Sequence, residues 1–451
     1  MLWSACFLLS AVSLLLLLAV VSSGSGASAA AGEISVLVRT TTTTTETTTS
    51  SSNADVAAEH CGDDGEWVRD GKRRRPMYEP WQCPFVDEGF RCRENGRPDD
   101  AFATWRWQPR HCTLPRFDAR KLLEALRNRR LVFVGDSIGR NQWESMLCML
   151  ATAVVSGDGD GDKAAAAIYE ENGSTTTKHK GELSFRFRDY NCTVEHYRSP
   201  YLVRRGRPPR RTPRRVGSTT SLRLDAMDAR AHRWKDADVV VFNSGHWWSR
   251  ERLRQLRCYF QVGKKLRMDM SVEAAYLRAM STLNNWVHRE VNPHKTLVIF
   301  RTYSPAHTRF SRSGSCAMET TPELNSSRIS LHQWPGMLNP AFEQSKSGTA
   351  AAAKLQVLNV TMMAAQRRDG HPSVYNVAAA AGQRADCSHW CLPGVPDAWN
   401  ELLYAMILRR FSWIIWDRGE CENWSIGQSD HICFVFCKCY VKQYALMEFI
   451  G

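Results

Sequence analysis

The sequence predicts an α/β protein, a parallel β-sheet flanked by helices on both faces. Three observations carry that expectation. Four short β-branched runs, Leu131–Val134, Asp238–Phe242, Thr296–Phe300 and Leu355–Val360, are dominated by apolar residues, as strands buried on both faces must be. Between them lie segments with apolar residues at three- and four-residue spacing, the mark of crossover helices. The composition, 43% hydrophobic and 23% charged with 16 Trp, can bury a sizeable core and excludes a disordered or fibrous chain. In such a sheet ligands sit outside the carboxyl ends of the strands, so the residues that follow each strand are where chemistry is expected.

In chain order, residues 1–22 hold an uncharged apolar run, 2–21, about long enough to span a bilayer. It reads as a signal anchor, with Ala27-Ser28-Ala29 as the small-residue pattern that a cleaved signal peptide would show instead. Residues 23–60, with the Thr/Ser tract at 40–52, cannot build a core and read as a stem. Residues 61–117 place Cys61, Cys83, Cys92 and Cys112 among Trp67, Trp81, Trp105 and Trp107, which reads as a disulfide-pinned N-terminal lobe. The core is expected over 118–411. It begins with a helix at Asp118–Arg129 and includes a second at Ser271–Val291, where Ser271 can cap and Glu273 falls in the first turn. Residues 156–167 and the Arg-rich 204–215 read as surface loops. Residues 412–451 form an atypical tail in which His431, Cys433, Cys437 and Cys439 are spaced loosely like metal ligands.

Charge and cysteines narrow the partners. The balance of 59 Lys+Arg against 46 Asp+Glu, a net +13, favours an anionic partner. Fifteen Cys behind an apolar leader imply an oxidising lumen, where nucleic acid is not a partner and an acidic polysaccharide or membrane surface is. Sequons at Asn172, Asn191, Asn325, Asn359 and Asn423 are candidate glycosylation sites in that compartment.

Three constellations could do chemistry. Leu131–Val134 runs into Gly135-Asp136-Ser137 and then a helical stretch, so Ser137 sits at a strand-to-helix turn, where the following N–H groups face developing negative charge. It could be a nucleophile or only a helix N-cap. Asp386 and His389, three residues apart, have the spacing for a carboxylate to hold Nδ1 of an imidazole and leave Nε2 free for a Ser hydroxyl. The alternatives there are an ordinary hydrogen-bonded loop, or a metal site on Cys387, His389 and Cys391. With so many other cysteines we read disulfides, and expect no metal and no bound cofactor. After the strand at 238–242, Asn243 could donate to an oxyanion, while Trp247 and Trp248 fit a sugar-stacking wall or plain core equally well.

Together the motifs resemble a known family. LVFVGDSIGRNQWESMLCML (131–150), NSGHWW (243–248) and DCSHWCLPGVPDAWNELL (386–403), preceded by NGRPDDAFATWRWQPRHCTLPRF (95–117), are similar to the trichome birefringence-like (TBL) family of plant Golgi polysaccharide O-acetyltransferases. The likeness covers 61–411. It implies an SGNH-hydrolase-like core, a triad of Ser137, His389 and Asp386, acetyl-CoA as donor and a cell-wall polysaccharide as acceptor. It further implies a single-pass type II protein of the Golgi membrane with its catalytic domain lumenal. The stretch 177–203 resembles the branch associated with pectin, whereas many members act on xylan. TRFSRSGSC after His307 departs from the family's usual Gly-Gly-Asp-Trp-like stretch. The resemblance implies disulfides Cys61–Cys112, Cys83–Cys148, Cys92–Cys387 and Cys316–Cys391. Cys192 and Cys258 are left without assigned partners. The three motifs alone do not exclude an acetyl esterase with water as the acceptor, and the basic loop with the 16 Trp supports a non-catalytic polysaccharide-binding or bridging protein as a further alternative.

Overall fold

The computed structural model describes residues 64–70, 76–155, 167–173, 181–209, 220–256, 258–308, 316–317, 319–329, 355–376 and 385–419. The signal anchor, stem, Cys61, Asn423 and the tail cysteines lie outside the described residues. In the lobe, strands β1 (Gly65–Arg69) and β2 (Trp105–Pro109) pair antiparallel. The core follows with helix α1 (Ala119–Ala125), β3 (Arg130–Gly135), α2 (Ser137–Val155), β4 (Ile168–Glu170), β5 (Glu182–Phe187), β6 (Cys192–Arg198), β7 (Val203–Gly206) and β8 (Thr220–Met227). Then come α3 (Ala231–Trp234), β9 (Val239–Phe242), α4 (Arg250–Gln255), β10 (Cys258–Val262), β11 (Lys265–Arg267), α5 (Val272–Glu290), β12 (Leu297–Arg301), β13 (Leu355–Leu358), α6 (Thr361–Ala365) and α7 (Val395–Gly419).

The central sheet has seven strands in the order β13-β12-β9-β3-β6-β5-β4. Its first five are mutually parallel, and β5 and β4 extend the far edge antiparallel. Counting only the parallel strands along the chain, the spatial order is 2-1-3-4-5, a doubly wound arrangement whose direction reverses between β3 and β9. The two sheet faces explain the continuous apolar runs. Leu131, Phe133, Val239, Val241, Leu297 and Ile299 pack with α2 and α7, whereas Val132, Val134, Val240, Phe242, Val298 and Phe300 pack with α5 on the other side.

The structure departs from the expected parallel sheet in four ways. It is mixed, because the hairpin-like β4-β5-β6 run caps one edge. A second sheet, β11-β10-β8-β7, packs on α5. The Arg-rich segment expected as a loop from 204 begins inside β7, where Arg204 and Arg205 pair with Arg223 and Leu222. The first helix is shorter than Asp118–Arg129: the Asp118 carboxylate caps it through Lys121 N at 3.0 Å, and Asn128, with φ +59°, turns the chain out. The N-terminal lobe shares the core of the α2/α7 face, with Trp67 and Trp107 edge to face at 5.6 Å and Trp67 Nε1 donating to Met363 O at 2.8 Å.

Candidate active site

The reversal point between β3 and β9 holds the residues singled out by the sequence. β3 delivers Asp136 and Ser137 to the N-terminus of α2, and β9 delivers Asn243 beside them. Asp136 is buried and caps the helix: its Oδ1 accepts from Ile138 N at 2.9 Å and from Asn243 Nδ2 at 2.6 Å. Ser137 is thereby freed from capping, and its hydroxyl is 2.8 Å from His389 Nε2. The same ring's Nδ1 is 2.7 Å from Asp386 Oδ2. A carboxylate only accepts, so Nδ1 carries the proton and Nε2 presents a lone pair to the serine. Asp386 Oδ1 also accepts from Ser388 N and His389 N at 3.0 and 3.1 Å. Burial works to raise the Asp386 pKa, but His389 and these N–H groups outweigh it and hold the carboxyl far below the usual range.

Asn243 sits behind the serine in a gap only glycines allow. A Cβ on either Gly135 or Gly139 would collide with its amide oxygen. One Nδ2 proton goes to Asp136; the second has no hydrogen-bond partner among the described residues.

The histidine loop is fixed from below by side chains with no local sequence signal. Asn141 grips Trp390 at both ends of its peptide, accepting from N at 2.8 Å and donating to O at 3.1 Å. His371 Nδ1 donates to His389 O at 2.5 Å, its ring stacks on Trp390 at 4.0 Å, and its Nε2 is 2.7 Å from His307 Nδ1. Burial lowers both imidazoles, His307 to about 4, so they are neutral at pH 7. His307 Nε2 also faces Ala365 O at 3.0 Å. Two neutral rings can supply protons to only two of these three contacts at once.

The lobe holds the same loop covalently, with partners exchanged relative to expectation. Cys83–Cys148 forms as expected, but Cys92 bonds Cys391, not Cys387, and Cys316 bonds Cys387, not Cys391. Backbone pairing explains the exchange. His307 N donates to Cys387 O and Cys316 N to His307 O, both at 2.9 Å, which brings Cys316 alongside Cys387. Leu392 N donates to Phe90 O at 3.0 Å, which sets Cys391 against Cys92. Both cysteines of the sequence-level metal alternative are therefore consumed as disulfides. Cys61–Cys112 involves a residue outside the described ones. Cys192 and Cys258 are free, and burial pushes their thiols up to about 12 and about 11.

The triad opens on a cleft of about 580 Å³ lined by Ser137, His246, Trp247, Arg252, Asp386 and His389 among others. The tryptophan pair divides: Trp248 is buried, with Nε1 on Ser244 Oγ at 2.9 Å, while Trp247 is half-buried in the cleft wall. His246, unremarked within NSGHWW, donates Nε2–H to Ser304 O at 2.7 Å. Burial lowers its pKa to about 4, so its Nδ1 is an acceptor. Of the sequon asparagines, Asn172, Asn191 and Asn325 are exposed; Asn359 is half-buried, its Oδ1 accepting from Thr302 Oγ1 at 3.2 Å.

A family model described as a GDSL/SGNH-like acyl-esterase family found in Pmr5 and Cas1p matches residues 114–406, and one for the PMR5 N-terminal domain matches 61–113. Trichome birefringence-like 9 of Arabidopsis thaliana is 42% identical over 352 residues, 76% of this chain and 82% of that protein. The chain belongs to the trichome birefringence-like family. Trichome birefringence-like 7 of the same plant is 44% identical over 347 residues, 77% of this chain and 73% of its own length. The trichome birefringence protein itself is 39% identical over 355 residues, 76% of this chain and 55% of that protein. In this family member all three triad residues fall inside the span matched by the acyl-esterase model.

Proposed function

We propose that this chain is an O-acetyltransferase that moves acetyl groups onto hydroxyls of a cell-wall polysaccharide, xylan or pectin. The observation that carries the reading is the unbroken line Asp386–His389–Ser137 at the mouth of the large cleft. Ser137 Oγ attacks the acetyl carbonyl carbon as His389 Nε2 takes its proton, and Asp386 steadies the imidazolium. The second N–H of Asn243 and nearby main-chain N–H groups hold the oxyanion. Collapse expels the donor's leaving group, the thiolate of coenzyme A where acetyl-CoA is the donor, with the proton returned from His389. An acetyl-Ser137 ester remains. The sugar hydroxyl then attacks that ester while His389 accepts its proton, which releases the acetylated polymer and restores Ser137. The apolar leader, the sequons and the family support a lumenal Golgi enzyme held by an N-terminal type II anchor.

Incubation with donor and no acceptor should leave a +acetyl Ser137 peptide in mass spectrometry. An unmodified peptide from turning-over enzyme ends the covalent scheme. A second reading, hydrolysis with water as the acceptor, is favoured by the acyl-esterase description of the family. An esterase releases acetate from acetylated xylan or pectin, whereas a transferase loads the deacetylated polymers, so one paired assay separates the two.

A further inference from the structure

Trp247 faces two cavities. On one side is the reacting cleft; on the other is a recess of about 260 Å³ whose wall includes Arg198, Tyr201, Arg205, Asp228, Arg230 and Trp247. Arg198 ends β6, Arg205 lies in β7, and Arg230 precedes α3. The recess is cationic. Its one carboxylate, Asp228, is committed to Arg230 at 3.2 Å and to Ser199 Oγ at 2.9 Å. Arg198 and Arg205 are exposed and have no ion pair among the described residues. The Arg198 guanidinium lies 5.1 Å from the Trp247 ring centre. Tyr201 is 3% exposed and stands edge-on to Trp247 and Trp248, at 6.1 and 5.2 Å, so it backs the indole as a wall of the recess.

A ligand matched to these groups has a carboxylate for guanidinium forks and a C–H face for an indole. We propose that the recess is a subsite for a carboxylated sugar, a uronic-acid unit of the acceptor chain, gripped by Arg198 and Arg205 against Trp247. The proposal rests on the reading of the chain as a polysaccharide-acting enzyme. Because Trp247 borders both cavities, a polymer with one unit's hydroxyl at Ser137 passes its neighbouring units across the indole into the recess.

The test is calorimetric binding of an α-1,4-linked galacturonic acid trimer, a neutral xylose trimer and coenzyme A to the full chain and to an Arg198→Gln/Arg205→Gln double variant. Unfolding midpoints check that the variant is folded. The uronide affinity should fall about ten- to a hundred-fold in the variant, and that of the neutral trimer less than about twofold. Three results overturn the subsite: no uronide binding to the native chain, an equal loss for the neutral trimer, or a loss for coenzyme A alone. Acetyl transfer measured on the same samples keeps the two ideas apart. A native chain that binds uronide through these arginines but moves no acetyl keeps the subsite and removes the transferase reading. A working transferase whose uronide affinity ignores both arginines does the reverse.

Discussion

At Ser137 the whole arrangement depends on another residue taking the helix cap. Asp136 satisfies the first N–H groups of α2, so the serine hydroxyl is left to His389. Replacing Asp386 by Asn would preserve the shape but present the wrong tautomer, a change that costs on the order of 10⁴ in kcat in serine enzymes. We expect a loss of that size in acetyl transfer from a variant that still folds, its unfolding midpoint at neutral pH lowered by loss of the Asp386 charge; a loss below tenfold would remove Asp386 from the relay. A subtler test lies at Gly139. Alanine is the better helix former, yet its methyl would displace the Asn243 amide. Gly139→Ala should therefore lower kcat about 10²–10³-fold, as loss of one oxyanion donor does, with KM little changed. Native kcat in this variant would mean that Asn243 plays no part.

The elements around the site show which of their pairings a sequence can display. β3, β9 and β12 declared themselves because burial on both faces leaves no polar position to interrupt the run. Gly135-Asp136-Ser137 and the Asp386/His389 pair were readable because each is local. β8, only partly buried and in no regular alternation, gave no such signal. Nor did Asn141, whose partner Trp390 is 249 residues away. The disulfides failed for a related reason: Cys387 and Cys391 are four residues apart, and only the backbone pairing of each with a distant segment decides which partner it meets. Peptide mapping under non-reducing conditions should recover Cys92–Cys391 and Cys316–Cys387 linked peptides; Cys92–Cys387 would refute the arrangement. Cys391→Ala opens a 299-residue loop. It should lower stability by up to about 6 kcal/mol in the chain-entropy limit and, by releasing the histidine loop from the lobe, lower kcat in the fraction that folds.

Across the whole molecule, buried carboxyls couple folding to acidity. Burial raises Asp397 to about 7 and Glu144 to about 8, although Ser145 donates to Asp397 at 2.5 Å and Tyr78 at 3.0 Å. Both groups hold protons in the folded state that the unfolded chain has released, so their contribution is complete below about pH 4 and is lost as pH rises through 7 to 8. Asp386 acts oppositely: its depressed pKa adds stability above the usual carboxylate range and loses it in strong acid. The buried His246 and His307 pull the native midpoint the other way over the same range, so the carboxyl contribution is read as a difference: the midpoint of Asp397→Asn relative to the native chain should rise from pH 5.5 to pH 8.5. A difference that stays flat across that range would show that Asp397 is ionised in the fold.

The bond between Cys92 and Cys391 also sets a clock on biosynthesis. Cys92 leaves the ribosome 299 residues before its partner, an interval of about 15–60 s at common rates of elongation. Throughout it Cys83 and Cys112 are nearer candidates. The nascent chain must hold Cys92 reduced, or cap it and later exchange it, until the last strand and the histidine loop have emerged. The histidine loop is therefore pinned to the lobe only after the rest of the chain has emerged, and reaching that state depends on an oxidant and a disulfide-exchange catalyst.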